Sequence, residues 1–402
     1  MAGRRILILT NRVPYPLRDG GALAMHATIT GYYKAGWEVF VLAMNTTRHF
    51  VQEQDLPRWL KDDVHFAAVK TDTRIRPLPV LANFLFSRQP EHAARFYNAS
   101  FKARLRAVIK AFAPEVIQME SIYLASYLPS IRAATNAPVI QRLHNVEYQV
   151  WERLAAETAN RLKQFYLRNL AARIKKYELK VWNDFDLLLP ITRADADIIR
   201  ATGCTTPMLV TPFGIDTKKY TPPINAHEQW NGYHIGAMDW LPNEEAIRWL
   251  ATDIWPDLHR AVPEFSFYFA GRNMPGWCMQ LQAEGLYCMG EVPDADVFIA
   301  DKKILLVPLR SGGGIRVKIL EAMAAGKLVI STATGMQGID ATDGVHYLKA
   351  DTKAAFIQSV KWCLEHRQEA TFMAEQGRGL VMNHYSNDII AGQVTARLVQ
   401  LL

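Results

Sequence analysis

Residues 305–334 read L-L-V-P-L-R-S-G-G-G-I-R-V-K-I-L-E-A-M-A-A-G-K-L-V-I-S-T-A-T. Three glycines, Gly312, Gly313 and Gly314, run into Ile315, Arg316, Lys318 and Glu321. The apolar run at 304–307 predicts a buried strand that Pro308 ends. Ile315, Ile319, Leu320 and Met323 predict a helix over 315–325 that Gly326 stops, and 328–331 predicts the next parallel strand. In such a βαβ unit the glycine loop turns backbone N–H groups toward an anion at the positive end of a helix dipole. Cations in that first turn are unfavourable unless an anion joins them, so Arg316 and Lys318 point to a phosphate-bearing ligand. Glu321, five residues beyond Arg316, reaches another part of such a ligand, for instance ribose hydroxyls. Glycine-rich βα turns with solvated basic residues are common; the joint spacing of glycines, Arg, Lys, Glu and Gly326 is what favours a ligand.

Other candidates stand at the ends of predicted strands, where open α/β sheets hold their ligands. Gly20 and Gly21 lead from a strand at 4–10 into a helix at 22–35, followed by a strand at 38–43. The pair serves either as a permissive turn or as a close approach to a ligand. The full dinucleotide fingerprint is missing, which argues against a nicotinamide site. Glu120 follows a strand at 115–119, and His144 and Glu147 follow one at 138–143. Arg272 follows a strand at 265–270, and Glu291 and Val292 follow one at 287–289. For Glu120 a solvated loop carboxylate is the alternative, and for Arg272 a salt bridge within the loop.

The chain that carries these residues has 402 of them, enough for two or three domains, and half are hydrophobic. Four cysteines without C-x-x-C spacing argue against a disulfide framework or a zinc site and fit a reducing, cytoplasmic compartment. No apolar run approaches the roughly 20 residues of a membrane helix. Residues 1–210 hold 29 Lys or Arg against 18 Asp or Glu, whereas 211–402 hold 17 against 21, so the basic excess lies wholly in the first half. No zinc-finger spacing or aromatic–basic RNA motif accompanies it, which ranks an anionic membrane surface or a phosphorylated acceptor above nucleic acid. Residues 151–182 read as one long helix in which Arg161, Lys163, Arg168, Arg173, Lys175, Lys176 and Lys180 interleave with apolar residues. Such a helix lies on an anionic membrane or, more commonly, packs on a core with a solvated face. Residues 74–90 mix prolines, arginines and aromatics and read as a mobile surface segment. A strand at 187–189, a helix at 192–201 and a short strand at 208–211 follow. A linker covers 213–232, and a strand opens at 233.

The segment Glu321-Ala322-Met323-Ala324-Ala325-Gly326 and the loop before it resemble the donor-binding signature of family 4 glycosyltransferases, which are retaining enzymes of the GT-B fold. The resemblance implies an α/β fold of two Rossmann-like, doubly wound domains facing a cleft. Residues 1–212 would be the acceptor domain, joined by a returning C-terminal helix at 387–402, and residues 233–386 the nucleotide-sugar domain. It implies transfer of a sugar from a nucleotide diphosphate sugar to an acceptor hydroxyl, in cell-surface polysaccharide or glycolipid assembly. Neither a cofactor nor a metal is expected. The family signature has two glutamates separated by seven residues. Glu321 matches the second, which contacts ribose, and Gly313 stands where the first contacts the transferred sugar. Gly20 and Gly21 match a paired glycine near the diphosphate, and Glu291 and Val292 match the place where backbone holds the base.

Residues 211–216, Thr-Pro-Phe-Gly-Ile-Asp, resemble the family's P-N-G-V-D boundary segment with Phe213 in place of asparagine. The family's arginine and lysine after the first strand of the second domain are missing from 237–243, which instead carries Asp239. Arg316 and Lys318 are expected to take over their charges. The expected donor site therefore comprises Gly20, Gly21, Arg272, Glu291, Val292, Gly312, Gly313, Gly314, Ile315, Arg316, Lys318 and Glu321. Glu120, His144 and Glu147 are the expected acceptor residues, and catalysis falls to His144, Arg316 and Lys318. An epimerase or phosphorylase on the same fold, or a non-catalytic donor-binding scaffold, fits the same residues.

Overall fold

Continuous apolar runs rather than alternating ones mark the strands, as expected for sheets covered on both faces. β1 (Arg5–Thr10), β2 (Glu38–Thr46), β3 (His65–Thr71), β4 (Val116–Met119), β5 (Val139–Leu143) and β6 (Leu187–Pro190) form one parallel sheet in the order β3-β2-β1-β4-β5-β6. β7 (Gln229–Ile235), β8 (Phe267–Ala270), β9 (Leu286–Cys288), β10 (Lys302–Val307), β11 (Leu328–Ser331) and β12 (Leu348–Lys349) form a second, in the order β12-β11-β10-β7-β8-β9. Each order is the doubly wound one. The strand sequence reverses between β1 and β4 in the first sheet and between β7 and β10 in the second, which opens a crevice at the strand C-termini of each. The computed structural model describes residues 3–17, 20–87, 89–220, 229–312 and 314–402. They divide into one unit running to Gly214 and including Ile390–Leu402, and a second spanning Ile215–Ile389.

The last helix, Asn387–Val399, buries Val394 and Leu398 in the core of the first unit, with Ile6, Ile8 and Ile29. Gly31 permits this approach, because a Cβ there would lie 2.8 Å from Cβ of Ala391. The chain passes between the units beside Gly214 and again beside Ile389. The two passes are tied by Ile215, whose N–H donates to Tyr385 O at 2.8 Å and whose carbonyl accepts from Asn387 N at 2.9 Å.

Several expected elements differ. The helix anticipated at 22–35 is Gly20–Lys34, so Gly20 and Gly21 form its first turn rather than a preceding loop. The segment at 74–90 contains a helix, Pro77–Phe86, started by a proline in its first turn. Phe84 of this helix packs against Phe165 and Tyr166 at 6.5 and 5.8 Å between ring centroids, and Arg173 donates to the carbonyls of Asn83, Ser87 and Gln89. The long helix at 151–182 is two helices, Glu147–Glu157 and Arg161–Val181. Asn160 breaks the pattern because its side chain accepts from Lys163 N at 3.0 Å and caps the second. The strand at 208–211 reduces to a single bridge between Leu188 and Met208. The strand expected from 233 begins at Gln229, and the helix at 315–325 is Val317–Ala324 with Arg316 as its N-cap.

Candidate functional site

In the first unit the crevice is a cavity of about 1000 Å³ at the ends of β1, β4 and β5, with Gly21, Glu120, His144 and Glu147 in its wall. Gly20 is exposed at the start of the adjoining helix, and a Cβ there would meet nothing. Glu120 follows β4 with its side chain wholly buried. It accepts from Gln118 Nε2 at 2.5 Å and faces Nε2 of His144 at 2.9 Å, while Gln118 accepts from the Tyr32 hydroxyl at 2.5 Å. Burial pulls the Glu120 carboxyl upward. The hydrogen bond from His144, the Arg142 charge and Gln118 together outweigh burial and hold it below the usual carboxylate range. An ionised Glu120 fixes the proton of His144 on Nε2 and leaves Nδ1 to meet a ligand. Glu147 accepts from the Tyr123 hydroxyl at 2.8 Å, and burial raises its pKa. The turn carrying it is held by Glu178, whose carboxylate accepts from the backbone N–H groups of Glu147 and Tyr148 at 3.0 and 2.9 Å and is pushed up to about 8 by burial.

In the second unit the loop between β10 and the helix Val317–Ala324 carries Gly312 and Gly314 at φ of 101° and 82°, a region open to glycine at little cost. A Cβ on Gly312 would also come within 2.9 Å of the Trp240 ring. Gly313 lies outside the described residues. Arg316, only 5 % exposed, sets its guanidinium 5.2 Å over the Trp240 ring and donates to the carbonyl of Gly314. Burial lowers its pKa.

Lys318 runs inward under the loop. Its stem is partly exposed, but its ammonium is enclosed and donates to Nε2 of His234 at 3.0 Å and to Oδ1 of Asn243 at 2.9 Å. His234, at the end of β7, gives its Nδ1 proton to the Leu306 carbonyl at 2.8 Å, which leaves Nε2 as the acceptor that Lys318 needs. Gly236 makes the space: a Cβ there would lie 2.6 Å from Nζ of Lys318. Gly271 after β8 is equally constrained, since its Cβ would fall 1.8 Å from the Gly236 carbonyl oxygen. Burial first, and then the charge of Arg316, bring Lys318 down to about 7, with Glu321 opposing. The expectation of two full charges in the first turn is therefore corrected for Lys318, whose enclosed ammonium is pushed down to about 7.

Glu321 shares a hydrogen bond with the Tyr220 hydroxyl, and burial raises its pKa. Ile315 is half-buried beside Arg316. Arg272 is exposed past β8, and Glu291 and Val292 follow Gly290, which takes φ of 67° and whose carbonyl accepts from Gly271 N at 2.8 Å. The structure thus gathers Gly312, Gly314, Ile315, Arg316, Lys318 and Glu321 on one loop and helix, and Glu120, His144 and Glu147 in one cavity. Sequence reasoning missed His234, Asn243, Trp240, Tyr123 and Glu178. A histidine one residue before the end of β7 was the available signal for the first.

Residues 18–219 match the family described as Glycosyltransferase Family 4, and residues 232–366 the one described as Glycosyl transferases group 1. An uncharacterized 44.6 kDa protein in the cps region of Klebsiella pneumoniae is 20 % identical over 371 residues, 89 % of this chain and 90 % of that one. Among solved structures, sucrose-phosphate synthase from Thermosynechococcus elongatus superposes with a TM-score of 0.67 at 15 % identity, covering 99 % of both chains. HepE from Anabaena, solved with UDP, superposes with a TM-score of 0.65 at 14 % identity over 98 % of this chain and 100 % of that one. The fold is the two-domain α/β GT-B fold.

The enclosed ammonium carries a pH signature. The folded protein holds the Lys318 proton less tightly than the unfolded chain, whose value is near 10.5. The unfolded state thus binds more protons between about 7 and 10.5, and stability rises with pH across that window. Denaturant titrations of the wild type and Lys318→Met should diverge with pH there, the wild type gaining up to about 1.4 kcal/mol per pH unit relative to the variant. Parallel pH profiles would show that the ammonium is solvated.

Proposed function

The chain belongs to glycosyltransferase family 4, and from that premise we propose that it moves a sugar from a nucleotide diphosphate sugar to an acceptor hydroxyl with retention of configuration, in the assembly of a cell-surface polysaccharide or glycolipid. One observation carries the reading. The loop after β7 supplies no cation, yet Trp240 at its end and Asn243 in the first turn of the helix that follows, Leu241–Trp249, hold Arg316 and Lys318 in place from across the β7–β10 crevice. The charges expected of that loop stand on the neighbouring helix, and these two residues keep them in position. HepE, solved with UDP and with UDP-glucose, supports a uridine nucleotide sugar as donor. The cps-region relative supports a role in capsule-type polysaccharide assembly.

As the donor bond breaks, negative charge grows on the leaving diphosphate. Backbone N–H groups of Gly312 and Gly314, the Arg316 guanidinium and the Lys318 ammonium are the preorganised partners for it. An arriving diphosphate raises the affinity of Lys318 for its proton, so the group that is near-neutral in the free protein becomes a full cation in the complex. We assign this neutralisation to side chains rather than to a metal. Glu321 takes the ribose, and Glu291 and Val292 the base, by the family resemblance. His144, with Nε2 held by Glu120, presents Nδ1 toward the transferred sugar and the acceptor. Glu120 spends both oxygens and Glu147 one on hydrogen bonds inside the fold, an arrangement that suits positioning better than nucleophilic attack and so favours retention without a glycosyl-enzyme intermediate.

No helix among the described residues is long and apolar enough to cross a membrane. Leu162 and Phe165 are 84 % and 65 % exposed beside Arg161, Lys163 and Arg168 on the basic helix, which supports docking on the cytoplasmic face of an anionic membrane. Flotation with phosphatidylglycerol vesicles should be clear at low salt and fade as salt rises; equal flotation with neutral vesicles would assign the basic surface another role. The catalytic reading is tested by steady-state kinetics. Arg316→Ala should lower kcat on the order of 10²-fold with a smaller change in KM, because the charge it meets develops in the transition state. Lys318→Ala should follow it. Near-normal turnover in both would move diphosphate neutralisation elsewhere, with Arg272 the next residue to replace.

A further inference from the structure

The cavity that holds Glu120 and His144 is also lined by cations. Arg95 ends the short helix Glu91–Arg95 with its side chain only 15 % exposed. Its Nε is buried without a hydrogen bond and lies 3.6 Å from Oε1 of Glu91, too far to donate to it. Nδ1 of His92 is likewise buried without a partner, 3.5 Å from Oε2 of Glu91. His92 packs against Trp151 and Tyr123 at 4.5 and 5.5 Å, and burial together with the Arg95 charge pushes it down to about 4, so it stays neutral. Arg48 adds an exposed guanidinium to the same cavity, and Arg74 adds one that is paired with Asp72.

Arg74 and Arg95 also face outward, into a second hollow of about 390 Å³ that includes Arg76, Val80 and Asn83. Arg74 and Arg95 thus form a ridge shared by the larger cavity and the smaller hollow at the helix Pro77–Phe86. Ile75, in the wall of the larger cavity between Arg74 and Arg76 in sequence, and Leu78, in the first turn of the helix, are 71 % and 79 % exposed. The smaller hollow brings three arginines, Arg74, Arg76 and Arg95, against two carboxylates, Asp72 and Glu91. A poorly hydrogen-bonded, largely buried guanidinium is costly unless an anion joins it, and guanidinium is the side chain best shaped to receive a phosphate.

We propose that the acceptor is a phosphate ester, a saccharide carried on a lipid diphosphate. Its terminal sugar enters the cavity toward His144, its phosphates sit on Arg95 with Arg48 and Arg74, and its lipid leaves past Ile75 and Leu78. This rests on the glycosyl-transfer reading above and names the acceptor for it. A free sugar phosphate shares the same anion chemistry; the exposed apolar pair, Ile75 and Leu78, is what selects the lipid-borne form.

The test uses three soluble probes on the full chain by titration calorimetry: geranyl diphosphate, inorganic diphosphate and geraniol. Geranyl diphosphate should bind, inorganic diphosphate should bind at least tenfold more weakly, and geraniol should not bind measurably. Arg95→Ala should weaken geranyl diphosphate at least tenfold and Arg95→Lys should recover part of it, with Arg95→Gln as the substitute should the alanine variant fail to fold. Lys318→Met should leave this binding in place, which separates it from any diphosphate held by the second unit. Wild-type affinity in a folded Arg95→Ala or Arg95→Gln overturns the proposal. Equal affinity for the two diphosphates overturns the lipid-borne form in favour of a free phosphate ester. Absence of UDP binding by the wild type, with Arg95-dependent geranyl diphosphate binding intact, would instead count against the donor reading and leave this site standing.

Discussion

An ammonium enclosed between two neutral acceptors sets the terms for the second unit. Lys318 has Nε2 of His234 and Oδ1 of Asn243 as partners and, among the described residues, no carboxylate in hydrogen-bonding contact. In that setting its charge is held at a cost, which is why its titration falls toward neutrality. The rest of the crevice follows from accommodating it. Position 236 must be glycine-sized, because Nζ occupies the space of a Cβ. His234 must carry its proton on Nδ1, so it needs the Leu306 carbonyl on the adjacent β10. Asn243 must reach back from its helix, and its Nδ2 donates to the Ala237 carbonyl at 2.8 Å to do so. A diphosphate supplies what this arrangement lacks.

The same topology occurs twice in the chain and is used in two ways. At the β7–β10 switch the glycine loop and the helix after it bring backbone N–H groups, Arg316 and Lys318, which suit the leaving group proposed above. At the β1–β4 switch the loops bring a buried carboxylate that orients a histidine, equipment for holding hydroxyls. The charge imbalance of the sequence follows this division only in part. The first half is basic overall, yet its cavity is lined by Glu120 and Glu147 as well as by arginines. Net charge therefore described a surface and a rim, whereas the chemistry depends on which charges are buried and which are paired.

The strands were legible because parallel sheets demand continuous apolar runs, and most of the runs identified in the sequence recur within a residue or two, with 328–331 coinciding with β11. The glycine loop and Glu321 were legible from spacing. Other features were not. Residues 151–182 carry helical periodicity throughout, and only the side-chain cap made by Asn160 divides them. The segment at 74–90 looked irregular because its helix gains its stability from tertiary contacts of Phe84 and from Arg173, nearly ninety residues away. Spacing placed Lys318 near the ligand but could not show that its ammonium turns inward, since that depends on His234 and Asn243, which are 84 and 75 residues distant in sequence.

The central claim is that Lys318 waits near neutrality and becomes a full cation when the donor diphosphate binds. Calorimetric titration of UDP at pH 8, repeated in buffers of different ionisation enthalpy, measures the protons exchanged on binding. The account predicts net uptake approaching one proton by the wild type and its loss in Lys318→Met. UDP binding with no proton uptake, or with the same uptake in both proteins, would contradict it.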